Sequence, residues 1–191
     1  IIGITGTNGK STTVALLFHI LKFNKIKCVI GGNYGFPACE IKDPGKHGII
    51  ILELSSYQLD SAKTLSLDLA TITNITKDHL DYHETFKKYK LSKLKILNFL
   101  KENGTFILDA DNKLLNEMLN NKKFKSKNII KITKDKTYYY PNDNDYLQGA
   151  HNASNCSLAV SIAKHLNINH EKIKLAIENF KGLPHRMEPI Y

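Results

Sequence analysis

Two rhythms of apolar and polar residues alternate along the chain. Short, nearly continuous apolar runs rich in β-branched residues open the sequence and recur at 27–30, 48–52, 67–75, 104–109 and 128–133. Uninterrupted apolar runs of this length are what strands covered on both faces require. Between them, apolar residues fall at helical spacing over 11–21, 84–101, 113–121 and 170–180, with a further apolar helix that follows 149–155 and runs to about 166. In 84–101 the apolar Phe86, Tyr89, Leu94 and Leu97 share one side, and lysines occupy the rest. Strands alternating with helices in this order predict an α/β domain with a mostly parallel sheet flanked by helices and joined by right-handed crossovers. The segment 138–147 reads as a polar loop or short hairpin, and 181–186 breaks the pattern as an exit linker.

The junction between the first strand and first helix carries the strongest chemical signal. Gly6-Thr7-Asn8-Gly9-Lys10-Ser11-Thr12 is a glycine-rich turn that ends in Gly-Lys-Ser. Glycines allow backbone N–H groups to turn around a polyphosphate, a lysine at Lys10 reaches its outer phosphates, and a hydroxyl at Ser11 suits Mg²⁺. The spacing departs from the strict Gly-x-x-x-x-Gly-Lys-Ser form, which wants glycine where Ile4 stands. Other candidates lie at strand ends. Asn33 sits in the loop 31–37, placed to touch a phosphate or its metal shell, although spacing alone makes this only a loop. Glu53 ends the apolar run 48–52 and is either a metal carboxylate beside Ser11 or a solvent-facing glutamate. His79, in a loop with two histidines and two aspartates, is the choice for a metal ligand there, against ordinary polar surface. Asn155 lies near a helix start and could read a base edge, while Asn152 is a candidate cap for that helix. Lys93 is one lysine among many and cannot be singled out by spacing.

Composition narrows the partners. The 191 residues suffice for one sizeable core, and the start without methionine suggests a domain excised from a longer chain. No apolar run approaches the roughly 20 residues of a membrane span. Three cysteines without metal-type spacing suit a reduced cytoplasmic protein. The net charge of +9 raises nucleic acid as a partner, but Arg186 is the only arginine among 27 basic residues. A nucleic-acid reader favours arginine's planar fork, so the excess of lysine reads as compositional bias.

Taken together, 3–12, Glu53-Leu54-Ser55-Ser56-Tyr57-Gln58-Leu59, Asp78-His79-Leu80-Asp81-Tyr82-His83 and His151-Asn152-Ala153-Ser154-Asn155 resemble, in this order, the ATP-dependent Mur ligases of peptidoglycan synthesis. The Gly31-Gly32-Asn33-Tyr34-Gly35 loop and the 180–188 stretch are similar to the D-glutamate-adding branch. The resemblance implies a P-loop NTPase-like central domain over 1–183, with 184–191 starting the linker to a C-terminal domain and a UDP-binding N-terminal domain on the other side. It implies ATP and Mg²⁺ as cofactors, and UDP-N-acetylmuramoyl-L-alanine and D-glutamate as substrates held through the flanking domains. No nucleic acid, no membrane and a monomer are expected. By motif, Lys10 and the loop amides would hold the phosphates, Ser11 and Glu53 one Mg²⁺, and His79 with a carbamylated Lys93 a second. Catalytic roles would fall to Lys10, His79 and Lys93. Asn33, Asn155 and Arg186 would lie against the nucleotide and Ser55 would face the UDP-substrate. A sister Mur ligase, folylpolyglutamate synthase or a non-ligating nucleotide module are the alternatives. The stretch between Thr133 and Gly149 is shorter than the D-glutamate-adding branch leads one to expect.

Overall fold

The computed structural model describes residues 1–119, 127–133 and 144–183. Six strands form one sheet: β1 (Ile2–Thr5), β2 (Cys28–Gly32), β3 (Ile49–Glu53), β4 (Leu67–Ile72), β5 (Leu100–Asp109) and β6 (Asn128–Ile132). Their order is β2-β3-β1-β4-β5-β6 and every neighbouring pair is parallel. The helices are α1 (Lys10–Phe23), α2 (Ser56–Ser61), α3 (Leu80–His83), α4 (Phe86–Leu94), α5 (Lys113–Leu119), α6 (Ala150–His165) and α7 (His170–Glu178).

Side-chain alternation along the strands divides the core in two. Ile51, Leu69 and Ile107 face a layer built from α1, α6 and α7. Their chain neighbours Leu52, Ala70 and Phe106 face the opposite layer, with Leu59, Tyr89, Leu94 and Leu115. Each fully buried leucine or isoleucine contributes about 1.5–3 kcal/mol, so continuous apolar runs are the pattern that a doubly covered sheet selects. Among the described residues no helix is long and apolar enough to cross a membrane.

The connection after β1 leads by α1 to β2 at one edge, whereas the connection after β4 leads toward β5 and the other edge. The two loops therefore part at the carboxyl ends of adjacent strands, where open α/β sheets form their ligand crevice. Three sequence expectations need correction. The helix expected over 84–101 ends at Leu94 and passes through a 3₁₀ turn, Lys95–Phe99, into β5, which begins at Leu100 and not at 104. Leu97 and Leu100 are buried and Leu100 pairs with Leu67, so sheet packing overrides helical propensity there. The strand expected over 67–75 stops at Ile72, because the backbone of Thr73 and Asn74 turns to meet the glycine-rich loop. The N-cap of α6 is Gly149, at φ 93°, and not Asn152, whose side chain donates to the carbonyl of Gln148. Most of the loop expected over 138–147 and the short stretch after Thr133 lie outside the described residues.

Candidate functional site

The glycine-rich loop occupies the crevice and is locked to the loop after β4. Thr7 N–H donates to Asn74 O at 2.9 Å, and Asn8 N–H to Asn74 Oδ1 at 2.9 Å. Asn74 Nδ2 returns a bond to Asn8 O at 2.9 Å, and Thr73 Oγ1 donates to the same oxygen at 2.6 Å. The loop leaves no room for side chains at two glycines. A Cβ at Gly6 would stand 1.9 Å from Thr73 Oγ1, and one at Gly9, φ 80°, would stand 2.2 Å from Asn155 Oδ1. Gly9 is the N-cap of α1 and no side chain caps that end. A helix N-terminus without a side-chain cap favours an anion. Ser11 is buried in this turn, Thr13 Oγ1 bonds Gly9 O at 2.9 Å, and Lys10 Nζ donates to Thr7 O at 2.8 Å.

Glu53 closes β3, in register with Ile4 of β1, and is only 1% exposed. Asn33 Nδ2 donates to its Oε1 at 2.9 Å, while Oε2 has no hydrogen-bond partner among the described residues. A buried carboxylate oxygen without a donor costs about 1–3 kcal/mol, and a hard cation is what such an oxygen accepts.

Lys93, in the last turn of α4, is 2% exposed. Its Nζ donates to Gly6 O at 2.8 Å and to Thr5 Oγ1 at 3.3 Å, and lies 5.3 Å from the centre of the Tyr89 ring. Burial pushes the amine down to about 7, with Lys10 adding repulsion and Asp78 and Glu53 opposing it. These four charged groups therefore sit within one electrostatic neighbourhood. Tyr89 is buried and its hydroxyl shares a 3.0 Å hydrogen bond with Thr7 Oγ1. His79 stands at φ 50° ahead of α3, about half exposed, with its ring 5.3 Å from that of Tyr57.

A cleft of about 420 Å³ continues from the glycine-rich loop, lined in part by Asn8, Gly9, Thr12, Asn155, Tyr146 and Phe180. Asn155 is buried and its Nδ2 donates to Asn152 Oδ1 at 3.2 Å. The structure thus brings Gly6, Thr7, Asn8, Gly9, Lys10, Ser11, Thr12, Asn33, Glu53, Lys93 and Asn155 around one crevice. Ser55 caps α2, accepting from Gln58 N–H at 3.2 Å while its own N–H donates to Gln58 Oε1 at 2.8 Å. Arg186 lies outside the described residues. Sequence reasoning missed Tyr89 and the Thr73-Asn74 lock, because their partners are more than 60 residues away along the chain.

The family described as Mur ligase middle domain matches residues 4–177. The chain belongs to the Mur ligase family. Among curated relatives, the UDP-N-acetylmuramoylalanine--D-glutamate ligase of Zymomonas mobilis is 38% identical over 195 residues, covering 100% of this chain and 43% of that protein. The ligase of the same name from Rickettsia felis is 37% identical, covering 99% of this chain and 46% of its own length. The chain thus spans less than half the length of the curated Mur ligases it matches. Among solved structures, MurF ligase from Thermotoga maritima in complex with ADP matches with a TM-score of 0.75 at 20% identity, over 98% of this chain and 49% of that one. MurF from Acinetobacter baumannii matches with a TM-score of 0.74, at 20% identity, over 97% and 47%. The parallel sheet flanked by helices is therefore the fold of the Mur ligase central domain.

Proposed function

We propose that this chain is the ATP-binding middle domain, 1–183 with linker from 184, of a cytoplasmic, monomeric ligase that joins D-glutamate to UDP-N-acetylmuramoyl-L-alanine. ATP would phosphorylate the substrate carboxylate, and the amine of D-glutamate would displace phosphate from the acyl phosphate, leaving ADP and phosphate. The observation that carries this reading is the buried pairing of Lys93 Nζ with the carbonyl of Gly6, inside the phosphate-loop crevice and near Glu53. The choice of acceptor is supported by the names of relatives 33–38% identical to this chain.

The residues suit their parts. The uncapped N-terminus of α1 and Lys10 would hold the β- and γ-phosphates, and Lys10 would leave Thr7 O to do so. Thr12, Asn155 and the cleft beyond Gly9 would seat the nucleoside, with Arg186 reaching it from the linker. The donor set fits Mg²⁺: Ser11 Oγ and the unpartnered Glu53 Oε2 would hold one ion, with Asn33 fixing the other carboxylate oxygen. Magnesium would neutralise charge on the transferring phosphoryl group. A second ion needs more than His79, because no group of three or more histidine, cysteine or acidic residues suited to a metal occurs among the described residues. Lys93 would supply the missing oxygens as a carbamate. Its neutral amine attacks the carbon of CO₂, an N–C bond forms as one C=O π pair moves onto oxygen, and the nitrogen gives a proton to water. Burial that lowers the amine to about 7 supplies the neutral nucleophile at physiological pH. Ser55 and the His79 loop would face the UDP-substrate.

The test is phosphate release by the full-length polypeptide containing this chain, with Mg-ATP, UDP-N-acetylmuramoyl-L-alanine and a panel of amino acids. Release should require D-glutamate and vanish in Lys10→Ala and Lys93→Ala. Release with another amino acid would move the assignment to a sister ligase, and binding of Mg-ATP without release would leave a non-ligating nucleotide module. The middle domain alone should not ligate.

A further inference from the structure

Three polar side chains are buried where α2, α3 and α4 meet. Ser56, the first residue of α2, stands three positions after Glu53. Its Oγ lies 2.9 Å from Nε2 of His83, the last residue of α3. Its backbone carbonyl accepts a 2.9 Å bond from Oγ of Ser92, the residue before Lys93. Ser56, Ser92 and His83 are 1%, 2% and 5% exposed. Asp60 Oδ2 lies 3.7 Å from His83 Nδ1, and Asp60 Oδ1 accepts from Lys95 Nζ at 2.5 Å. With the carboxylate on the Nδ1 side, the imidazole proton is assigned to Nδ1 and Nε2 accepts from the Ser56 hydroxyl.

The topology of this knot is its significance. Glu53 ends β3, His79 follows β4 and Lys93 lies in the last turn of α4; β3 and β4 are joined through β1, whereas α4 belongs to no ladder. Ser56 ties the segment after β3 both to α3 and to the residue before Lys93, beside the bonds that Lys93 itself makes to Thr5 Oγ1 and Gly6 O. An apolar trio of the same volume would fill this space, but it would let α4 slide or rotate by fractions of an ångström. Directional hydrogen bonds fix it, and a shift near 1 Å at a reacting group is enough to lose much of a rate. At this end α4 is also held by the buried Leu94 and by the bonds of Lys93 itself, and Ser92 adds a directional contact one residue away. Leu91 is half exposed, and Lys95 is held by the same Asp60.

We propose that Ser56, His83 and Ser92 are positioning residues for Lys93, holding the last turn of α4 so that Nζ meets the phosphate loop and the carboxyl end of β3. The inference rests on the role assigned above to Lys93. In the full-length ligase, Ser92→Ala removes one hydroxyl from a helix and keeps helical propensity, so the fold is retained. The expected result is a kcat lower by about fivefold to tenfold, an unchanged KM for ATP, and a weaker carbamate carbon signal after equilibration with ¹³C-bicarbonate. Ser92→Thr, which restores the hydroxyl, should recover most of the rate. His83→Gln, which can still reach Ser56 Oγ, should retain more activity than His83→Leu at matched thermal stability. Wild-type kcat and carbamate signal in both Ser92→Ala and His83→Leu would overturn the proposal. A loss of rate that tracks thermal stability alone, with no rescue by Ser92→Thr, would overturn it as well. Lys93→Ala separates the two claims. If it is active, the role of Lys93 fails and the positioning claim falls with it. If it is inactive while Ser92→Ala and His83→Leu are not, the positioning claim alone is refuted.

Discussion

Replacing Glu53 by glutamine should stabilise the ligand-free protein and weaken its response to Mg-nucleotide. In the ligand-free state Glu53 is 1% exposed, Oε1 is bound by Asn33 and Oε2 has no donor among the described residues. Leaving such an oxygen unsatisfied costs about 1–3 kcal/mol. The glutamine keeps an oxygen for Asn33 and replaces the orphaned charged oxygen with a neutral amide, which is cheaper to bury unpaired, so a gain of about 1–2 kcal/mol is expected. For a domain of this size, that raises the melting temperature by about 3–6 °C. The wild type should gain about 2.7 kcal/mol from Mg-ADP at a hundredfold excess over its Kd, and the variant much less, because the oxygen that would hold the cation is gone. The order of melting temperatures therefore inverts when ligand is added. Differential scanning calorimetry of both proteins, with EDTA and with saturating Mg-ADP, reads the inversion directly. If the glutamine variant melts below the wild type in EDTA, Oε2 is satisfied in the free protein. If its Mg-dependent shift equals that of the wild type, Glu53 does not hold the metal.

Two further outcomes test the crevice and its support. Gly9→Ala forces a side chain into φ 80° and against Asn155 Oδ1; the left-handed strain alone costs about 1–2 kcal/mol, and calorimetric titration should find nucleotide affinity reduced by more than tenfold, the idea failing if affinity stays within twofold. His19 lies between Phe23 and Phe180 with Nε2 buried and unpartnered among the described residues, and burial lowers its pKa against a smaller raising effect from the Ala176 backbone. Because the unfolded histidine takes up a proton first, the stability present above about pH 6.5 is lost as pH falls toward the depressed folded value. His19→Phe should flatten that loss between pH 7.5 and 5.5 in urea melts, and a pH-independent difference from wild type would refute it.

What could be read before folding divides along the distance over which each residue acts. The strands were legible because a sheet covered on both faces requires continuous apolar runs, and the polar residues within strands, such as Asp68, Lys101, Glu102 and Lys131, fall near strand starts or on the edge strand β6. The position of Glu53 at a strand's carboxyl end was legible for the same reason, but the choice between a metal carboxylate and a solvent-facing glutamate was not, and only its 1% exposure separates the two. The boundary at Leu94 was not legible, because Leu97 and Leu100 satisfy a helical period and a sheet-packing demand equally well, and only contact with Leu67 decides between them. Lys93 shows the limit most sharply. Along the chain it is one of Lys87, Lys88, Lys90, Lys93 and Lys95, and nothing in their spacing distinguishes it. What separates it is the carbonyl of Gly6, 87 residues away, and the burial that lowers its amine toward neutrality. Resemblance to a family could name it, but only the fold supplies the physical cause: a lysine becomes chemically distinct here through the water it loses, and that loss is a property of α4 packed on the phosphate loop.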